Sequence, residues 1–135
     1  MGDLSKNFSR WEFKCKCQQY CRGSQDTVDY ELVKVLEDVR SHFRMIYYDR
    51  REDISIRITS GNRCTEHNAD IGGSETSYHV KCKASDFVVT TVHADEVADY
   101  LEEKYPDKYG IGRYDGRTHL DVRSDIGRWD NRGKS

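Results

Sequence analysis

The sequence predicts an α+β domain, a small, mainly antiparallel sheet with helices packed on it, and three observations carry that reading. Leu32, Leu36, Val39 and Phe43 recur at steps of four, three and four residues, which gathers them on one face of a helix. Ile54, Ile56 and Ile58 alternate with Ser55 and Arg57, the period-two pattern of a half-buried strand. Asp115-Gly116 stands between two runs, 109–114 and 118–123, that read as strands. It is a hairpin signal because these residue types accept the positive φ that a tight turn requires.

Taken in order, residues 1–25 show no regular period. They form an irregular, cysteine-containing segment anchored by Phe8, Trp11 and Phe13. Asp26 or Thr27 is suited to cap the first helix. After the isoleucine strand, residues 60–77 are polar and rich in Gly, Asn and Ser, and read as a long loop with one helical turn after Thr65. A loop of that length in a small domain marks either function or disorder. Strand character returns over 84–90 through Phe87, Val88 and Val89. Thr91 is placed to cap a second helix with Val97, Ala98 and Leu101 on its inner face. Pro106 stops that helix, since proline lacks an N–H and clashes with the preceding turn. The polar tail, 130–135, is expected to fray. No repeat or linker divides the chain, and its 135 residues suit a single domain.

Hydrophobic residues make up 36% of the chain and charged residues 34%, while 11% aromatics, nine of them from tyrosine, argue against disorder. A net charge of −2 with both signs interspersed provides no basic face, so no nucleic-acid partner is expected. No apolar run approaches the roughly 20 residues of a membrane span, so no membrane insertion is expected either. The opening Met1 to Lys6 has no apolar signal core, and Lys6 stands where a myristoylation signal has Ser or Thr. The expectation is a monomer synthesised in the cytoplasm without a signal peptide. Its five cysteines (Cys15, Cys17, Cys21, Cys64 and Cys82) are odd in number, and reduced thiols are the default without export.

The chemistry concentrates in the stretch from Ser77 to Asp86. His79 and Asp86 are seven residues apart, which suits one ligand at a loop end and a second on the following strand. His119 and Asp121 share one face of a later strand. Zinc accepts histidine nitrogen and carboxylate oxygen, and catalytic zinc sites use three protein ligands plus water. Two histidines and one carboxylate form such a set. On residue type alone, ordinary surface or hydrogen-bonded histidines are the other reading. Cys15-x-Cys17-x3-Cys21, with Cys64, could hold a further zinc, although the spacing departs from the common C-x2-C. A redox or simply reduced cluster is the alternative. His67 reads as a loop-ordering residue; His42 and His93 fit surface helix positions and carry no assigned role.

Several blocks then occur in a telling order: Ser60-Gly61-Asn62-Arg63-Cys64, His67-Asn68, Gly72-Gly73, and Ser77-x-His79 through Ala84-x-Asp86. Tyr114-Asp115-x3-His119-Leu120-Asp121-Val122-Arg123 and Trp129 follow, and Asn7-Phe8-Ser9-x-x-Glu12-Phe13-x-Cys15-x-Cys17 precedes them. Together they resemble the zinc D-Ala-D-Ala carboxypeptidase family of murein peptidases, in particular its small, often phage-encoded branch. The resemblance spans about residues 4–129. It implies the fold of D,D-dipeptidases and the hedgehog signalling domain, and cleavage of peptide bonds in peptidoglycan stem peptides or cross-bridges.

By this resemblance His79, Asp86 and His119 are the zinc ligands, and Arg63 and Ser77 bind substrate. Tyr78, which replaces a more usual Gln, could line the cleft. Relatives often carry a carboxylate three residues before the last histidine, where this chain has Gly116. Asp121 is therefore the favoured general base, with Asp115 close behind. Either could instead serve in a supporting or turn role, and Asp121 could exchange roles with His119 at the metal. Cys82 stands where relatives commonly have glycine and could crowd the turn or bring a thiol near zinc. The implied function is a zinc metallopeptidase, such as a phage lysis enzyme (endolysin) or a virion-associated wall hydrolase reaching the cell wall after release. The alternative is a zinc-containing cell-wall or protein binding module without turnover.

Overall fold

Leu32, Leu36, Val39 and Phe43 are all buried along one helix, α1 (Tyr30–Ile46), in a computed structural model that describes residues 2–17, 27–74 and 76–133. Cys21 and Asp26 lie outside the described residues. The cap of α1 is neither residue expected: Asp29 immediately precedes the helix, and its side chain accepts the N–H of Glu31 at 2.9 Å. From that position a carboxylate reaches the second helical amide; Thr27 stands too far upstream. The rest of the chain forms β1 (Ile56–Ser60), α2 (Thr65–Asp70), β2 (Ala84–Val89), α3 (Ala94–Lys104), β3 (Tyr109–Tyr114), β4 (Arg117–Asp121) and β5 (Ile126–Asp130), with short 3-10 turns at Arg10–Phe13 and Tyr48–Asp53.

His93, not Thr91, caps α3, its Nδ1 accepting the N–H of Asp95 at 3.2 Å. Thr91 has φ +62°, whereas an N-cap residue needs extended backbone. The helix ends at Lys104, ahead of Pro106.

The five strands lie in the order β1-β2-β4-β3-β5. All pairs are antiparallel except β3 with β5, which is parallel. This is the mostly antiparallel α+β architecture read from the sequence. One face of the sheet is the core: Ile56, Ile58, Phe87, Val89, Leu120 and Ile111 pack with the buried faces of α1 and α3 and with Phe8 and Phe13 of the N-terminal segment. Strand β5 has no counterpart in the sequence reading. It extends into the polar tail, where Asn131 N–H reaches the Arg113 carbonyl at 2.8 Å and Gly133 N–H reaches Asp115 Oδ2 at 2.8 Å. The tail is thus tied down as far as Gly133, through pairing with a distant strand that no local period announces. Among the described residues no helix is long and apolar enough to cross a membrane.

The other face of the sheet positions the site. Asp86 pairs with His119, His119 with Gly112, and Gly112 with Trp129, so one row of partners crosses β2, β4, β3 and β5. The adjacent row runs Ala84, Asp121, Gly110, Gly127. Residues paired in register share a face, which puts the polar groups of both rows on the same side.

Candidate metal centre and active-site cleft

His79 arrives from the long loop. Its backbone N–H is held by Ser77 Oγ at 3.2 Å, in a turn that Val80 N–H to Ser77 C=O continues. The ring donates from Nδ1 to the Gly61 carbonyl at 2.6 Å, since a carbonyl can only accept. That bond fixes the tautomer and leaves the lone pair on Nε2, which lies 3.5 Å from Asp86 Oδ1. On the sheet, His119 Nδ1 stands 2.9 Å from the same Asp86 oxygen, and His119 Nε2 stands 2.8 Å from Asp121 Oδ2. His79, Asp86 and His119 are each below 10% exposed, and one ligand atom from each lies within 4.8 Å of the others.

The donor set fits zinc. Nitrogen and oxygen ligands at about 2.0–2.1 Å from a tetrahedral zinc are about 3.4 Å apart, and the Asp86 oxygen sits at 2.9 and 3.5 Å from its two histidine partners. With the His79 Nδ1–H committed to Gly61 and His119 placed between two carboxylates, a proton or a metal is needed to give both rings a favourable contact with Asp86. Burial alone would raise the Asp86 pKa, but hydrogen bonds to His119 and His79 and their charge hold it well below the usual carboxylate range. Burial alone would keep the His119 ring neutral, yet Asp121 and Asp86 on either side reverse this and raise its pKa.

Asp121 is fully buried. Its Oδ1 receives Arg123 Nε at 2.7 Å and Arg123 N–H at 3.3 Å; its Oδ2 receives His119 Nε2 and Arg123 Nη2, both at 2.8 Å. A carboxylate has about four acceptor positions, and all four are taken. Asp115 lies on the exposed β3–β4 turn, with Oδ2 bound to Gly133 N–H.

These groups open onto a cleft of about 350 Å³. Arg63, Ser77 and Tyr78, expected to bind substrate, line it together with His79, Asp86, His119 and Asp121. Arg63 Nη2 is 3.9 Å from Asp86 Oδ2, and Nη1 donates to Asn68 Oδ1 at 3.3 Å. The buried Arg63 Nε has no hydrogen-bond partner among the described residues. Lys81 Nζ and the Arg123 guanidinium carbon each stand 4.6 Å from the centre of the Tyr78 ring. Asp115 is absent from the cleft lining, and Cys82 likewise stands apart from it. Cys82 has φ +63°, the left-handed conformation in which glycine is unstrained.

Sequence reasoning missed several groups. Arg123 follows His119 and Asp121 at the next same-face step, a spacing that points it at the same site. Trp129 packs its ring 4.9 Å from that of His119 and donates from Nε1 to Tyr114 Oη at 2.9 Å. Gly112 permits this, because a Cβ there would stand 2.4 Å from the indole. Gly110 likewise leaves room for Asp121: a Cβ would lie 2.3 Å from Oδ2. The alternating glycines of Tyr109-Gly110-Ile111-Gly112 were the available signal, since glycine within a strand often marks a close approach. Asn68 also orders the loop: buried, it donates from Nδ2 to the Ser74 carbonyl at 2.8 Å while receiving Arg63.

Two histidines and an aspartate converge in a cleft, with a carboxylate behind one histidine, as a candidate metal-binding centre. Residues 6–121 match the family described as Peptidase M15, and the chain belongs to this family, that of the zinc D-Ala-D-Ala carboxypeptidases. No curated protein matches the chain.

Proposed function

We propose that this chain is a zinc metallopeptidase that hydrolyses peptide bonds of bacterial peptidoglycan, as a D,D-carboxypeptidase or endopeptidase. The convergence of buried His79, Asp86 and His119 at the floor of a cleft carries the reading. Zinc bound by these three residues would polarise the scissile carbonyl and lower the pKa of a water to about 7.

The chain's own residues do the remainder. Asp121 is a positioning residue in this reading rather than the base favoured from sequence, because its four acceptor positions are filled. It fixes the His119 ring and leaves Nδ1 for the metal, the arrangement by which carboxylates orient ligating histidines. Asp115 is then the remaining candidate to take the proton of the attacking water, a role that requires the β3–β4 turn to carry it into the cleft it does not line. It sits in the turn between cleft residues Tyr114 and Arg117, and its Oδ1 makes no hydrogen bond among the described residues. Tyr114 Oη accepts from Trp129, so its own O–H proton is available to a substrate oxygen. Ser77 Oγ accepts from His79 N–H and is in the same position. Arg63, Arg117 and Arg123 ring the cleft with positive charge. That charge suits the carboxylates of a peptidoglycan stem peptide, which Arg grips through a planar fork. The protein acts as a monomer, without nucleic acid or membrane insertion, on wall reached after phage-type release or from a virion.

The test is release of peptide fragments from purified peptidoglycan with and without chelator. Absence of chelator-sensitive release from every murein chemotype overturns the enzyme reading. Gly116, in the place of the family's usual carboxylate, and the saturated Asp121 favour a second reading, a zinc-containing module that binds without turnover. Asp115→Asn separates the two: a loss of turnover of a hundredfold or more with wall binding intact supports the enzyme. Unchanged wall binding with no turnover in the unaltered protein supports the module.

A further inference from the structure

Three thiols remain outside this machinery. Cys15, Cys17 and Cys64 form a buried cluster of their own, apart from the main apolar core, at 3%, 7% and 5% exposure. Cys64 Sγ lies 3.8 Å from Cys15 Sγ and 3.6 Å from Cys17 Sγ, and all three sulfurs fall within 4.8 Å of one another. A disulfide requires about 2.05 Å. In a tetrahedral zinc–thiolate site, with Zn–S about 2.3 Å, neighbouring sulfurs stand about 3.8 Å apart.

We propose that Cys15, Cys17 and Cys64 hold a second zinc, bound by thiolates and structural in role, which staples the N-terminal segment to the loop behind the cleft. Two further contacts support it. Cys64 N–H donates to Cys15 Sγ at 3.3 Å, a bond that strengthens when that sulfur is a metal-bound thiolate. The two segments also meet backbone to backbone: Asn62 N–H reaches the Phe13 carbonyl at 2.8 Å, and a Cβ on Gly61 would lie 2.7 Å from Phe13. The cysteines are thus brought together across 47 to 49 residues of sequence by packing that also sets the loop.

The location gives the metal its purpose. The loop it would fix carries Arg63, next to Cys64, and the Gly61 carbonyl that orients His79. Binding releases the three thiol protons to solvent and couples the metal's affinity to the folded state. Zinc favours such a soft sulfur set, whereas the His79 centre offers nitrogen and oxygen. The two centres are therefore chemically separable.

Metal analysis and zinc-edge X-ray absorption on the full chain test the proposal. The expected result is two zinc ions per chain, with sulfur neighbours at about 2.3 Å in the wild-type spectrum. The His79→Ala variant should keep one zinc with sulfur ligands. Loaded with cobalt instead, it should show thiolate-to-cobalt charge-transfer absorption. The Cys17→Ser/Cys64→Ser double variant should lose the sulfur-bound ion and expose the segment before residue 17 to protease. If that variant does not fold, the wild-type spectrum and the cobalt spectrum of His79→Ala still decide. A wild-type spectrum with only nitrogen and oxygen neighbours overturns the proposal. So does a His79→Ala protein that takes up neither zinc nor cobalt, or an intact mass showing a disulfide among these cysteines.

Discussion

Replacing Gly110 by alanine tests the close approach on which the His119 orientation rests. The added Cβ would stand 2.3 Å from Asp121 Oδ2 and 2.5 Å from Oδ1. To reach ordinary contact the carboxylate must retreat by about 1 Å. Asp121 is fully buried and its oxygens hold His119 and Arg123, so retreat stretches those bonds together. Overpacking costs about 1–3 kcal/mol, and a charged hydrogen bond lost in the interior about 1.5–3 kcal/mol. The sum, about 2.5–6 kcal/mol, is a large part of the roughly 5–15 kcal/mol available to a small domain. With His119 no longer held, zinc affinity at the His79 centre should fall by about 10- to 100-fold. Gly116→Ala is the control: it has φ +75° and nothing within 4 Å of a new Cβ. It should cost only about 1–2 kcal/mol of left-handed strain and leave zinc affinity unchanged. Urea unfolding and competition with a chromophoric chelator measure both quantities. A Gly110→Ala protein within 1 kcal/mol of wild type, binding zinc as tightly, would refute the reasoning.

Trp129→Ala removes the ring packed on His119 and the donor to Tyr114. Peptidase activity should fall about tenfold, and less in Trp129→Phe, which keeps an aromatic face; equal activity of all three proteins speaks against the arrangement. Glu37 receives Ser5 Oγ at 2.5 Å, Asn7 N–H at 2.8 Å and Asn7 Nδ2 at 2.7 Å, docking the N-terminal segment on α1. Burial works to raise its pKa, but these bonds together lower it. A depressed carboxylate contributes stability that is complete above its unfolded pKa and is lost as pH falls through its folded one. Glu37→Gln should therefore cost about 1–2 kcal/mol at pH 7 and flatten part of the acid limb of the stability–pH curve; parallel curves for the two proteins would contradict this. Cys82→Gly relieves a left-handed residue worth about 1–2 kcal/mol of strain against about 0.5–1 kcal/mol of added chain entropy. A gain of about 0.5–1 kcal/mol in urea unfolding is expected, and a net loss would show that the Cys82 side chain matters more than its backbone.

Much of the fold was legible because local period reports local burial. Leu32, Leu36, Val39 and Phe43 fall on the buried face of α1, and Asp115-Gly116 turns the β3–β4 hairpin. Helix caps were less legible. Asp26 or Thr27 and Thr91 have suitable side chains, but Asp29 and His93 hold the positions. Which polar residue serves depends on where the chain enters the helix, a matter of backbone conformation rather than residue type. Strand β5 was invisible, since its residues alternate weakly and its partner, β3, precedes it by a full hairpin.

The sequence by itself determined the α+β class, the burial faces of the two long helices and, through the order of its blocks, the family; it also proposed the trio His79, Asp86 and His119, which the fold brings together. Each rests on information carried within a few residues or within one ordered series of motifs. Only the tertiary structure decided how the trio is held: Asp121 saturated behind His119, Gly110 and Gly112 opening space for Asp121 and Trp129, and three cysteines gathered from both sides of α1. Those facts depend on strand register and on contacts between distant segments. Register is set by the packing of the whole sheet, so a side chain's neighbours across it are fixed by every strand at once and written in none of them alone.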